Sequence, residues 1–204
     1  RLIDNFPLDL LANPETNYIY NTHCNSFSIS SDGKKILLGF RDISRIIEID
    51  KKSGKILRSI GKKLNKIDTL VYETELFRFP HDAKYIGTNE VSLLNNDDVK
   101  SKQSKQISSL IFFKLPDKDH RQIIPFWEFK FDFDSYTNGK SAKLGNYVVL
   151  PDKHLLINEG SVNRIVEIDP VKKIPLWDLM ITKNYGHSGW SDFAMYRIFF
   201  TKTL

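Results

Sequence analysis

The sequence predicts an all-β fold of repeated four-stranded antiparallel sheets on two observations: three similar strand segments, and a turn signal after each short strand around them. The segments are Arg45-Ile-Ile-Glu-Ile-Asp50, Ser109-Leu-Ile-Phe-Phe-Lys-Leu115 and Arg164-Ile-Val-Glu-Ile-Asp169, each followed by a polar turn and another apolar run. Units recurring at about 50 to 60 residues cannot bury their apolar faces alone and must stack on their neighbours. Four short antiparallel strands per unit is the pattern of a β-propeller blade.

The first unit runs Ser26 to Ser30, a Ser31-Asp-Gly33 turn, Lys35 to Phe40, Ile46 to Ile49, a Lys52-Ser-Gly54 turn, and Lys55 to Ile60. The second runs Ala83 to Ile86, Glu90 to Leu94, Leu110 to Leu115 and Phe126 to Phe131. The third runs Tyr147 to Leu150, His154 to Ile157, Ile165 to Ile168 and Pro175 to Leu179. Runs of this length bounded by Gly, Asp, Asn, Ser and Pro are strands separated by tight turns. The chain is therefore expected to be a partial propeller domain over 1–204, with three complete blades at about 23–61, 81–131 and 144–181. The polar stretch at about 95–108, which includes Lys100-Ser-Lys-Gln-Ser-Lys-Gln106, reads as a mobile loop.

With 41% hydrophobic and 12% aromatic residues among 204, there is material for one sizeable core. No apolar run approaches the roughly 20 residues that cross a bilayer, and no signal-like segment stands at the start, so no membrane span is expected. The chain opens on Arg1 rather than Met, as a processed or partial chain would. The single cysteine, Cys24, excludes an intrachain disulfide and leaves the compartment open. The formal charge of +5 is spread over turns rather than gathered in a stripe, which argues against nucleic acid as a partner.

The repeat gives two histidines a common address. His23 precedes the first strand of the first blade and His81 that of the second, 81 − 23 = 58 residues apart. The first strand of each blade lines the central channel, so the two are expected at one channel mouth beside Asn25 and Asp82. Two imidazoles there suit nucleophilic attack, general acid/base chemistry or an anion cage, and equally a purely structural pairing with neighbouring backbone. No metal is expected at this address, because no third histidine or paired carboxylate shares it, and no cofactor is expected.

Along most of the chain the motifs resemble the arylsulfotransferase-like propellers, a family that includes bacterial aryl-sulfate sulfotransferases. His23-Cys-Asn-Ser26 is similar to the family's His-x-Asn-Ser, and Phe77-Arg-Phe-Pro-His-Asp-Ala83 to its Phe-x-x-Gln-His-Asp-Ala. Ser92-Leu-Leu-Asn-Asn96, Trp127-Glu128, Trp177-Asp178 and Tyr196-Arg197 fall in the family's order. The resemblance implies a six-bladed ring that moves a sulfuryl group between phenols through a sulfated histidine, without a nucleotide donor. It implies aryl sulfates or phenols as ligands and an extracytoplasmic or secretory location. His23 and His81 would then be catalytic groups, with Asn25, Arg41, Asp82 and Asn96 binding the substrate. Arg41 offers sulfate oxygens a planar fork of donors.

The sequence also departs from that pattern. Pro80 stands in place of Gln, Arg58 in place of the first blade's Trp, and Ser141-Ala-Lys-Leu-Gly-Asn146 carries no histidine where the family's sulfated one is expected. Two functions follow: a sulfotransferase-like enzyme or a degenerate aryl-sulfate-binding relative, and a non-catalytic propeller serving as a binding or assembly module. Three blades leave sheet faces and edges uncovered, so further blades or a protein partner are expected to close the ring.

Overall fold

In the computed structural model, residues 23–63, 71–97, 107–135, 139–180 and 195–201 are described. They form three sheets in chain order. The first contains β1 (Cys24–Ile29), β2 (Lys35–Phe40), β3 (Arg45–Asp50) and β4 (Ile56–Gly61), an antiparallel meander, with a short β5 (Val71–Glu73) added parallel to β4. The second contains β6 (Pro80–Tyr85), β7 (Glu90–Asn95), β8 (Ser109–Lys114) and β9 (Pro125–Lys130). The third contains β10 (Asn146–Val149), β11 (Leu155–Asn158), β12 (Arg164–Asp169) and β13 (Ile174–Met180). Apart from one 3-10 turn at Gly160–Val162, the described residues contain no helix, and so none long and apolar enough to cross a membrane. The segments 2–20 and 98–106 and His187 lie outside the described residues.

The period-2 alternation of each strand assigns its side chains to two faces. Leu37, Ile46 and Ile60 on one face of the first sheet pack against Ala83, Val91, Leu93, Ile111 and Phe113 of the second. The opposite face of the second sheet, with Leu94, Leu110 and Phe129, packs against Tyr147, Leu155, Ile157, Val166 and Ile168 of the third. Each large side chain so buried contributes about 1.5–3 kcal/mol, and the stacking of successive meanders face to face is that of propeller blades. The fold is a partial β-propeller.

Two local features extend the sequence reading. β6 begins at Pro80, earlier than its apolar run, because His81 pairs with Leu94 across a bulge that also holds Asp82 at φ 49°. β5 lies in a segment without a strand signature; it covers the outer edge of β4, whose open groups would otherwise face water.

The inner strands are joined by polar side chains. Ser26 Oγ accepts from the Ala83 N–H at 3.1 Å, and Ser28 Oγ from the Tyr85 N–H at 3.2 Å. One strand on, Asp82 Oδ2 accepts from the Tyr147 N–H at 3.3 Å. Hydroxyls and a carboxylate therefore satisfy inner-strand amides that belong to no ladder, which is required of buried backbone.

Candidate functional site at the inner strand ends

Just before β1, His23 adopts φ 46° and its carbonyl accepts from the Arg41 N–H at 3.0 Å, which ties the entry of the first blade to the end of β2. The His23 side chain is half-exposed, with Nδ1 3.4 Å from Asp42 Oδ1; Arg41 donates to the same oxygen at 2.9 Å. The Arg41 guanidinium also lies over the Phe79 ring, 5.0 Å from its centroid.

His81 is 1% exposed. Its Nδ1–H donates to the Gly145 carbonyl at 2.8 Å, because a carbonyl can only accept. The lone pair then sits on Nε2, which has no hydrogen-bond partner among the described residues. Burial lowers the imidazole's pKa to about 4, against the pull of the Gly145 carbonyl and the nearby Asp82, while the charges of Arg197 and His23 add to the lowering. A neutral imidazole held in this tautomer is chemically a nucleophile or an acceptor.

The loop 141–145 gathers the other groups. Asn96 Nδ2 donates to the carbonyls of Ser141 at 2.7 Å and Leu144 at 3.2 Å, and Arg41 donates to that of Ala142 at 3.4 Å. Gly145 has φ 97°, and a Cβ there would lie 2.5 Å from the Asn158 carbonyl oxygen, so only glycine lets this loop turn its carbonyl to His81. The segment expected to hold a third-blade histidine thus presents four backbone carbonyls to Arg41, His81 and Asn96. Asn25 is tied elsewhere, its Nδ2 donating to the Pro80 carbonyl at 3.0 Å. Asp82 is turned away, accepting from Lys84 Nζ at 2.8 Å and from the Tyr147 N–H.

A crossing segment closes over these groups. The Met195 N–H donates to the Gly160 carbonyl, and Asn146 exchanges two hydrogen bonds with Ile198 at 2.8 and 2.9 Å. The Tyr196 ring meets His81 edge-on at 5.5 Å, and Arg197 reaches the Asn25 carbonyl at 3.4 Å. Residues 195–198 are therefore bonded by their backbone to the third blade, with the Tyr196 ring against His81 and the Arg197 side chain reaching the first blade.

No family model matches the chain, and no curated protein matches it. Among solved structures it is similar to BamB from Moraxella catarrhalis, at 14% identity over 78% of this chain and 37% of that one, TM-score 0.42. It is similar also to a catalytically inactive virginiamycin B lyase from Staphylococcus aureus with quinupristin, at 17% identity over 78% and 42%, TM-score 0.46. A third is the Swd1 β-propeller domain of Myceliophteria thermophila, at 13% identity over 78% and 42%, TM-score 0.45. The chain spans about two fifths of the length of these structures. None of these likenesses carries a ligand or a reaction to this chain.

Two clusters escaped the sequence reading. Glu159, buried behind β11, has its carboxyl pushed up to about 8 by burial, with Arg164 pulling it down and Asp134 and Asp178 pushing it up. Arg164 joins the last two, at 2.5 Å to Asp134 and 2.8 Å to Asp178. Nothing in the repeat marks Glu159. The second cluster, Asp152, His154 and Glu167, brings its ligand atoms within 4.8 Å of one another. A strand-by-strand comparison of Glu48 with Glu167 is the signal that finds it.

Proposed function

We propose that this chain is part of a non-catalytic β-propeller whose stacked blades serve as a binding or assembly module, and that the open sheet faces are taken up by another four-stranded blade. The observation that carries the reading is the apolar character of those faces. Phe27 is 72% exposed on β1, and Leu179 is 49% exposed on β13, with Ile29, Ile174 and Leu176 also exposed. Leu179 pairs with Ile165 on the face of the third sheet that corresponds to the one gripping the next blade in the first two sheets. Continuity with those two packed interfaces is what argues for a blade as the occupant.

The reading is tested on the 204-residue chain by sedimentation, alone and with whatever additional blades the complete protein supplies. Self-association, or tight uptake of a blade, that is lost in Ile29→Glu or Leu179→Glu is the expected outcome. A monomeric, cooperatively folding chain that takes up no blade would overturn it.

One observation favours aryl-sulfate binding as a second reading: the buried, neutral His81, whose Nε2 has no partner among the described residues, is bonded to the same loop 141–145 as Arg41 and Asn96. Chemistry through it requires Nε2 to bond sulfur as the sulfur–oxygen bond to the phenolate breaks, the phenolate leaving with the electron pair. Transfer is expected to be absent or weak, because loop 141–145 supplies carbonyls and no second imidazole. Incubation with a chromogenic aryl sulfate and a phenol acceptor, followed by mass spectrometry for sulfated histidine, decides. Robust turnover lost in His81→Ala would make the enzyme reading the better one.

A further inference from the structure

We propose that Asp152, His154 and Glu167 form a site for a divalent transition metal of the Zn²⁺ class at the β10–β11 turn of the third blade. His154 Nδ1 lies 2.8 Å from Glu167 Oε1 and 3.2 Å from Asp152 Oδ2. Zn–N and Zn–O bonds of about 2.0–2.2 Å give tetrahedral ligand separations of about 3.3–3.6 Å. Seating an ion therefore lengthens the two short His154 contacts and draws the two carboxylates, whose ligand atoms lie within 4.8 Å of each other, to the same separation, with a fourth position facing solvent. One imidazole and two carboxylates suit Zn²⁺ better than Ca²⁺ or Mg²⁺, which demand more oxygen ligands.

The repeat supplies the independent argument. Glu48 pairs with Arg58, Phe112 with Trp127 and Glu167 with Trp177, each the last pair before a bulge, so these are one position in three blades. Likewise Lys35 and His154 each stand directly before the residue that pairs with the strand's last isoleucine, Ile49 or Ile168. In the first blade Glu48 is held by two permanent cations, Lys35 at 3.5 Å and Arg58 at 3.1 Å, and by the Tyr85 hydroxyl at 2.9 Å. In the second the position is apolar, with the Phe112 and Trp127 rings 4.7 Å apart. In the third the carboxylate is kept while both fixed cations are replaced, by an imidazole and an indole. A second carboxylate, Asp152, is added.

What remains is a negative pocket whose cation is exchangeable. Its ligands are already oriented: Asp152 Oδ1 accepts from the His154 N–H at 3.0 Å, and the Trp177 indole N–H donates to Glu167 Oε2, the oxygen that does not face His154. Such outer hydrogen bonds fix metal-binding carboxylates. The site also stays accessible when a blade packs on this face, since Lys35 keeps 27% of its side chain exposed beneath the second blade.

The test is titration of the intact chain with Zn²⁺ by calorimetry and by tryptophan fluorescence, with Co²⁺ absorption to report coordination. Saturable uptake of one ion per chain with a change in Trp177 emission is expected. His154→Gln and Asp152→Asn, both in an exposed turn, should each weaken it by about tenfold or more, and Trp177→Phe should keep binding but lose the emission change. His120→Gln, which removes a surface His–Asp pair at 3.3 Å, should leave it unchanged. Absence of saturable uptake, or uptake unaltered in His154→Gln, would show an ion pair only and overturn the proposal.

Discussion

Two buried groups give the molecule opposing pH dependences. His81 folds with a pKa of about 4 against an ordinary value of 6.5. Between those values the unfolded chain binds a proton that the folded chain refuses, so stability falls as pH drops from 6.5 towards 4, by about 3 kcal/mol at most. His81→Asn retains a donor for the Gly145 carbonyl and should flatten that acid limb in thermal melts from pH 7 to 4; parallel slopes would refute the assignment. Glu159 works in the other direction. Its folded pKa of about 8 lies above the ordinary 4.5, so the folded chain holds a proton that the unfolded chain has released, and stability falls as pH rises from 4.5 to 8. Glu159→Gln should raise the melting temperature at pH 8 and leave it nearly unchanged at pH 4.5.

At the scale of the element, the sheets depend on a few backbone positions that the apolar pattern does not reveal. Gly61 ends β4 at φ 136°, where a Cβ would lie 2.2 Å from the Ser44 carbonyl oxygen. Backbone cannot yield as a flexible side chain can, so Gly61→Ala should cost about 2 kcal/mol or more in chemical denaturation. Gly54, at φ 72° with nothing within 4 Å of a built Cβ, should tolerate Ala at about 1 kcal/mol. The inner strands use hydroxyls in the same positional way. Ser26, which opens the Ser-Phe-Ser-Ile-Ser run, serves the amide of Ala83 on the next blade, so Ser26→Ala should cost about 1–3 kcal/mol by leaving a buried N–H unpaired.

For the whole molecule, the order of the three sheets sets where stability resides. The second sheet is packed on both faces, whereas β13 is exposed along nearly its whole length. Amide hydrogen exchange should therefore be slowest in β7 and β8 and fastest in β13, and a blade seated on the open face should bring β13 towards the protection of β8. Equal protection across the three sheets would show that the stacking does not order local stability.

The sequence by itself determined the strands and their grouping. Arg45 to Asp50 and Arg164 to Asp169 repeat one short run of isoleucine, valine and charge, and turn residues bound each run, so the blades are legible from local chemistry. It also singled out His23 and His81 through their shared repeat position. Tertiary structure decided what those residues do. The partners of His81 are the Gly145 carbonyl, 64 positions away, and Tyr196 from a crossing segment, neither of which local pattern can place. Asp82 follows His81 directly, yet a bulge at left-handed φ turns it to Lys84 and Tyr147 and out of the cluster. Asp152, His154 and Glu167 come from a turn and a strand whose closeness follows from register, and Glu159 owes its raised pKa first to burial and then to the carboxylates of Asp134 and Asp178. Alternation and turn propensity act between residues a few positions apart, and strand pairing propagates them into a fold. Burial, register across blades and loop-to-strand hydrogen bonds are set by groups far apart in the chain, and they alone fix the chemistry of a site.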